Sequence, residues 1–423
     1  MREKIRTEAF DRMQYLYASF HDPAIRARLC FSGRIDADAL RRAVGLSADA
    51  VPQVRLRFDP ERGLWSGEGV SSEEIVQVVE AEDGGESTAS RLLLSPIEFF
   101  KGPQVKIFLV HGSRSDTLCV VFSHLVGDGA GFRRYLSLLS ELYARCLERT
   151  EPAALRPMDR GFRQVMRGFG RQEKIEILAA PMDYPKQDPS MLLPLKEERG
   201  EPFLAERTLG EETLAAMKAY AKGRGATVND LLMAAFARAH RAVTGCGELV
   251  LSCPVDLRKY APDPDRCGIT NLSGTYLCTL SSRENEPFDV TLLLVSMQMH
   301  AQKNSLACLK GPLLLDWINR FLPFSSFRKI FSEKFQIPVV SYTNLGVFDR
   351  DRLRFGGAGI TDVRVATAVK HAPAFQVSAS TFDGRCTLSC CADYREDDRK
   401  VAESFLGRMA EELEQLKASD ESE

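Results

Sequence analysis

The sequence predicts an α/β protein (an α+β sandwich) in which two domains are joined by a polar linker. The chain has 423 residues, enough for two or three domains at about 150 residues each. Short apolar segments typical of buried strands alternate with helical patterns. Residues 150–200 are rich in Pro, Lys, Arg and Glu, as linkers are. We therefore expect domains at 1–175 and 201–417, a linker at 176–200 and an acidic tail at 418–423.

The first half contains a helix, two strands and a second helix. Residues 39–46 have a helical pattern, and residues 106–110 and 117–123 are short apolar runs rich in β-branched and aromatic residues. From Phe132 to Cys146, apolar residues recur at three- and four-residue spacing. This spacing predicts a helix with one buried stripe.

The second half begins with a strand at 202–209 and helices from about Glu211 and Asn229. Further strands, which we expect in one sheet, are at 249–255, 337–343, 363–369 and 375–381. Asp383-Gly384 is the two-residue signal of a β-hairpin. The last predicted helix is at 398–417.

The composition excludes several classes of protein. Lys and Arg number 56 against 58 Asp and Glu, a net charge of −2, so no excess of positive charge favours nucleic acid as a partner. No apolar run approaches 18 residues, and the charged N-terminus does not resemble a secretory signal, so we expect a cytoplasmic protein without a transmembrane segment. Eleven scattered cysteines are typical of buried thiols rather than disulfides.

The strand at 117–123 leads directly into His124, so an imidazole is expected at the carboxyl end of a buried strand. That is where α/β folds place reactive groups. Gly127, Gly129 and Gly131 follow within seven residues. Glycine permits backbone conformations that a Cβ forbids, so these residues predict a sharp turn that leaves the space beside His124 open.

His124, Asp128 and Gly129 form the pattern His-x-x-x-Asp-Gly, which resembles the signature of the CoA-dependent acyltransferase superfamily. That superfamily includes chloramphenicol acetyltransferase, plant alcohol acyltransferases and the condensation domains of nonribosomal peptide synthetases. The segments 254–258, 267–271 and 341–346 also resemble family segments, and the likeness extends over residues 9–417. Ser123 stands where condensation domains usually carry a second histidine, which favours the stand-alone acyltransferases.

The resemblance implies two chloramphenicol acetyltransferase-like domains in one chain, with the active-site tunnel between them. It also implies a monomer that transfers an acyl group from a CoA or phosphopantetheine thioester to a hydroxyl or amine acceptor. Acyl-CoA or acyl-phosphopantetheine would be the co-substrate, with no bound cofactor and no metal.

Imidazole, with an ordinary pKa near 6.5, is a suitable base at neutral pH, so His124 is the expected catalytic residue. No Gly-x-Ser-x-Gly segment offers an acyl-serine route, which favours direct attack without an acyl-enzyme. The resemblance places Thr343 and Asn344 among the candidates for the oxyanion donor. It also implies that Asp128 points away from His124 and pairs with Arg258, a structural role that Gly129 shares.

Two other functions remain open. The first is a free-standing condensation protein of the peptide-synthetase type, which would need an acyl or peptidyl carrier protein as its partner. The second is a non-catalytic binding member of the fold, against which the intact His124, Asp128 and Gly129 argue.

The remaining chemistry-bearing residues are expected to be structural. We interpret five histidines as surface or helix residues, with His371 alone near enough to a sheet edge to approach the site; they are His21, His111, His240, His300 and His371. Strand alternation turns Cys391 away from Cys386 and Cys390, which disfavours zinc, and Cys119 faces away from His124.

The segment Leu313–Phe335 is rich in large apolar side chains. Three interpretations are open: helices that cover the core, a wall for an apolar acyl chain or acceptor, and a membrane-surface role. Phe321 is the position at which we expect a substitution to distinguish the first two.

Overall fold

The computed structural model describes residues 3–67, 69–81, 85–150, 152, 154–181, 188–196, 198–334 and 338–416. The strands are β1 (Glu3–Arg6), β2 (His21–Asp22), β3 (Ala24–Phe31), β4 (Arg57–Asp59), β5 (Leu64–Gly67), β6 (Val76–Glu80), β7 (Val105–His111), β8 (Asp116–Ser123), β9 (Arg199–Leu209), β10 (Glu248–Asp256), β11 (Ser273–Ser281), β12 (Val340–Phe348), β13 (Ile360–Ala366), β14 (Val369–Lys370), β15 (Phe375–Phe382) and β16 (Arg385–Tyr394).

The helices are α1 (Ala9–Tyr17), α2 (Ala37–Ala50), α3 (Ser72–Ile75), α4 (Glu86–Leu93), α5 (Gly129–Glu148), α6 (Arg163–Met166), α7 (Arg171–Ala179), α8 (Glu211–Gly223), α9 (Val228–Thr244), α10 (Phe288–Lys303), α11 (Lys310–Phe321), α12 (Phe324–Lys334) and α13 (Glu396–Glu414). Within the described part of the chain, no helix combines the length and the apolar character needed to cross a membrane.

Two sheets dominate the mixed α/β fold. The first has the order β13-β3-β8-β7-β6, and buried side chains of α2 and α5 pack on it. The second has the order β11-β10-β12-β15-β16-β14-β2, with β9 also paired to β16, and its core includes buried side chains of α8, α9, α10 and α13. A small sheet, β1-β5-β4, completes the N-terminal half. The α/β architecture with two lobes is therefore confirmed.

The two sheets exchange strands, and this makes one sequence prediction wrong. The segment 363–369 was expected in one sheet with 337–343 and 375–381, but β13 pairs antiparallel with β3 in the first sheet. In return, β2 pairs with β14 in the second sheet. A two-residue hydrophobic period identifies a strand but carries no information about its partner, so the exchange is invisible locally.

The hairpin prediction is confirmed. β15 and β16 pair antiparallel across Asp383 and Gly384, whose φ angles are 46° and 76°. Two positive φ angles are typical of the tight turn that matches strand twist.

The region between the two halves also contains helices. Residues 150–200 include α6 and α7, and α7 spans residue 175, the predicted end of the first domain. The acidic tail 418–423 lies outside the described residues.

Candidate active site

His124 is positioned by the turn between β8 and α5. Its backbone N–H donates to Pro23 O at 2.8 Å, which ties the turn to the start of β3. Helix α5 begins at Gly129 rather than at Phe132 because Asp128 caps it, accepting from the N–H of Gly131 at 2.7 Å. The strand-to-helix turn thus leaves the His124 side chain between the two halves of the protein.

A buried arginine, Arg160, donates hydrogen bonds to the backbone of this turn. Arg160 donates to the carbonyls of Leu125 (3.3 Å) and Val126, and to that of Ile269 (3.0 Å) from the other half of the chain. Its charge is balanced by Asp11, whose Oδ1 lies 2.7 Å from Nη2. Because both members of this ion pair are buried, the turn has little freedom to move.

Asn271 determines which nitrogen of His124 carries the proton. The Asn271 amide nitrogen donates to His124 O at 2.9 Å and to Leu125 O at 3.4 Å, so its Oδ1 must face the imidazole. That oxygen lies 3.1 Å from His124 Nδ1 and can only accept. Nδ1 therefore carries hydrogen, and Nε2 of the neutral ring is free to take a proton.

The surroundings keep this imidazole neutral. Burial lowers the pKa of His124 and outweighs the opposing effects of its hydrogen bonds and of the Asp128 charge. A neutral imidazole with an open Nε2 is the state that a general base requires.

Asp128 pairs with Arg258, as the resemblance implies, rather than with His124. Arg258 Nη1 lies 3.0 Å and 3.1 Å from the two carboxylate oxygens. The carboxylate also accepts from the backbone N–H of Leu272 at 2.7 Å and the hydroxyl of Ser273 at 2.8 Å. Burial alone would raise the pKa of Asp128, but the Arg258 charge and these donors lower it. Asp128 is therefore a buried anion that joins the two halves.

Gly129 permits a close approach between the turn and β12. A Cβ at this position would lie 2.8 Å from Leu345 Cδ2, and one at Gly131 would lie 2.8 Å from Thr270 O. The oxygen facing Gly131 belongs to the backbone, so a side chain at this position would disturb the packing around the site, whereas a side chain at Gly129 would displace the Leu345 methyl.

A cavity of about 1220 Å³ opens beside His124. Its wall combines residues of α1 and the His124 turn with residues of β10, β11, β12, α11 and α12. The cavity therefore lies between the two sheets, where the resemblance implies the tunnel.

The two candidate oxyanion donors both lie in the cavity wall, but they differ in availability. Asn344 is partly engaged: one of the two N–H groups on its Nδ2 donates to Asn229 Oδ1 at 3.1 Å, and its Oδ1 accepts from Gly346 N at 2.8 Å. The Thr343 hydroxyl has no hydrogen-bond partner among the described residues, and its side chain is buried. Thr343 is thus the more available donor.

The apolar segment Leu313–Phe335 serves both core and cavity. Leu315 and Phe331 line the cavity and also belong to a small buried cluster. Phe321, the position expected to distinguish a cavity wall from the core, is 79% exposed and absent from the wall, because it lies on the outer side of α11. Phe335 lies outside the described residues.

Among the other histidines, His21 rather than His371 reaches the site. His371 Nδ1 lies 2.9 Å from Asp393 Oδ2, and His371 is absent from the cavity wall. His21 is buried and lines the cavity, so its interpretation as a surface or helix residue is wrong. His21 reaches the cavity because β2 pairs with β14 in the second sheet, and no local sequence pattern predicts this pairing.

Cys119, Cys386, Cys390 and Cys391 are buried in this fold. Cys386 and Cys390 belong to the main core of the second sheet, whereas Cys391 packs in a different cluster, as the alternation predicts. Burial raises the pKa of the Cys119 thiol to about 12, so it stays protonated. In the ranges that the structure covers, no group of three or more potential ligands could hold a metal ion.

Comparisons with known proteins agree with this architecture. No family model matches the sequence. Chondramide synthase cmdD of Chondromyces crocatus is 28% identical over 245 residues, which cover 55% of this chain. The matched region covers only 6% of that much longer protein.

Solved structures align with nearly the whole chain. Polyketide synthase associated protein 5 from Mycobacterium tuberculosis has a TM-score of 0.68 and 15% identity, covering 97% of each chain. The starter condensation domain of rhizomide synthetase, in complex with C8-CoA and Leu-SNAC, has a TM-score of 0.67 and 15% identity, covering 98% of this chain and 94% of that one. The chain thus has the two-lobed fold of condensation domains, the fold class that the resemblance predicts.

Proposed function

We propose that this protein is an acyltransferase that moves an acyl group from a CoA or phosphopantetheine thioester to a hydroxyl or amine, with His124 as the general base. The observation that carries the proposal is the fixed imidazole: Asn271 holds Nδ1–H, and the residue lies in the wall of a large cavity between the two sheets. The fold, shared with a domain solved with C8-CoA, supports the same reaction class.

The proposed reaction takes place in a single ternary complex. The acceptor O–H or N–H gives its proton to Nε2 as the oxygen or nitrogen attacks the thioester carbonyl. The carbonyl oxygen becomes an oxyanion, for which the Thr343 hydroxyl is the available donor. Collapse of this intermediate breaks the C–S bond, and the thiolate takes the proton back from Nε2.

Direct transfer is favoured over a covalent acyl-enzyme. Cys308 is the cysteine in the cavity wall, and burial raises its thiol pKa, which disfavours the nucleophilic thiolate. We therefore expect no acyl group on the protein after incubation with an acyl-CoA alone. Intact-protein mass spectrometry tests this directly.

The identity of the acyl donor is the more specific part of the proposal. We favour acyl-CoA, and the alternative is an acyl group on a carrier protein, the arrangement of a free-standing condensation protein. A series of acyl-CoA donors and the matching acyl-carrier proteins should be incubated with mixed alcohols and amines, and free thiol and acylated product measured by mass spectrometry.

We expect CoA-dependent product that forms at least about 100-fold more slowly with His124→Ala. Product from carrier-bound donors alone would favour the condensation-type protein. No product from either donor would contradict acyl transfer and favour a binding role.

A further inference from the structure

A buried lysine lies in the wall of the cavity that contains His124. Lys370 is in β14, where it pairs with His21 of β2 and with Ala392 of β16. Its exposed fraction is 8%, and it lines the cavity. The strand exchange between the two sheets brings this lysine to the site.

The Lys370 ammonium lacks a counterion. Its Nζ donates to His21 Nδ1 at 3.3 Å, and within the described ranges no carboxylate forms an ion pair with it. The nearby carboxylate of Asp22 is already paired with Arg26, whose side chain is fully buried. Nothing in the described structure therefore neutralises the lysine.

His21 does not share this positive charge. Because its Nδ1 accepts from the ammonium, that nitrogen is unprotonated and the ring is neutral. Burial, together with the Lys370 charge, lowers the pKa of His21 well below its ordinary value. His21 thus orients the ammonium, while Lys370 alone carries the charge.

Burial lowers the pKa of Lys370 to about 8, so the Lys370 side chain is still protonated in most protein molecules at pH 7. An unpaired buried cation is costly, and an apolar side chain of similar volume would remove that cost. A costly, unpaired charge that lines a substrate-sized cavity is typical of a ligand-binding position.

The wall next to this cation is aromatic. The Tyr17 ring lies 6.1 Å from the His21 ring and 5.5 Å from the Phe331 ring, measured between centroids. All three residues line the cavity. A matching ligand would carry a negative charge beside an apolar body.

We propose that Lys370 binds a substrate carboxylate, and that the acyl acceptor is an amino or hydroxy acid with an apolar side chain. This inference rests on the proposed acyl transfer for the identity of the ligand as acceptor. The carboxylate pairs with Nζ, the apolar side chain lies against Tyr17 and Phe331, and the amine or hydroxyl is presented to His124.

Binding of four product-like compounds tests the proposal without turnover. The acceptor-side pair is N-octanoylphenylalanine and N-octanoylphenylalaninamide. The donor-side pair is the mono-phenethylamide of suberic acid and N-octanoylphenethylamine. Within each pair, one compound has a carboxylate where the other has a neutral group, a carboxamide in the first pair and a methyl group in the second. Dissociation constants are measured by calorimetry on the full chain at pH 7.

We expect the carboxylate of the acceptor-side pair to bind at least tenfold more tightly than its amide. This ratio should fall below threefold in Lys370→Met and persist in Lys370→Arg. It should also persist in Lys222→Met, which removes an exposed lysine of α8 that does not line the cavity. A preference confined to the donor-side pair would overturn the assignment to the acceptor, because it would place the carboxylate on the acyl group.

Equal affinities within both pairs of compounds, or a preference that survives Lys370→Met, would overturn the proposal. The wild-type comparison alone can do so, whatever the stability of the variants. His124→Ala separates the two proposals, because it should slow transfer strongly and keep the carboxylate preference. A protein that shows the preference without transfer contradicts only the proposed function.

Discussion

The ion pair between Asp128 and Arg258 should be strongly coupled in its effect on stability. Asp128→Asn leaves the Arg258 guanidinium, 1% exposed, with only the 40% exposed Asp256 carboxylate, 3.0 Å from its Nη1, as a charged partner. Arg258→Met leaves a buried carboxylate that still accepts from Leu272 and Ser273. Breaking a buried pair from one side costs about 3 to 5 kcal/mol, so each single variant should lose stability of that order.

The double variant should be less damaging than the two single effects added together. Removing both charges leaves no lone buried ion, so we expect a coupling free energy of about 2 to 3 kcal/mol. Glu141 and Arg145 are a matched control on the same helix, α5, with side chains 59% and 47% exposed. Their coupling should stay below about 0.5 kcal/mol.

The assay is chemical denaturation at pH 7, followed by circular dichroism and by tryptophan fluorescence. The two probes must agree before one free energy of unfolding is assigned. Because the Asp128 pKa is lowered in the folded protein, its contribution is fully present at pH 7 and is lost only on acidification through that pKa. Additive effects, or a coupling no larger than in the control pair, would refute the structural role of Asp128.

Two further predictions concern the base and the cavity. Because burial lowers the pKa of His124, kcat/KM should decline on the acid side with a midpoint below pH 6.5. Asn271→Asp places a negative charge beside the imidazole, so it should raise this midpoint by about one pH unit or more. Phe331→Ala should widen the cavity and shift the preferred substrate towards one with a bulkier apolar group. Phe321→Ala, on the exposed face of α11, should leave that preference unchanged.

Each of these predictions has a clear contrary result. An acid limb that does not move in Asn271→Asp would mean that His124 is not the titrating base. Equal substrate profiles for the Phe331 and Phe321 variants would assign the segment to the core alone.

Local patterns predicted those features of the fold that depend on neighbouring residues. The strand before His124, the helix after it and the Asp383-Gly384 turn each have a signature within about ten residues. The pairing of β13 with β3 has no such signature, because the partners are separated by more than 300 residues in the chain. Strand periodicity could not assign 363–369 to the correct sheet.

The candidate site, like the fold, was predictable from the sequence only in part. The sequence pattern identified His124 and its turn, and the resemblance paired Asp128 with Arg258, but neither assigned a role to Asn271, Arg160 or Lys370. Asn271 is a neutral amide whose role depends on hydrogen bonds to His124 and Leu125, and Arg160 acts through backbone carbonyls. Lys370 reaches the cavity only through the strand exchange. Such roles depend on three-dimensional placement and leave no characteristic spacing in the sequence.

The central claim, that His124 Nε2 is the general base of acyl transfer, is tested most directly by the rate of product formation in His124→Ala. With an accepted donor and acceptor, measured by mass spectrometry, kcat should fall by about 10² to 10⁴, the range for a lost general base, while the melting temperature stays near that of the wild type. Wild-type turnover by His124→Ala would contradict the mechanism.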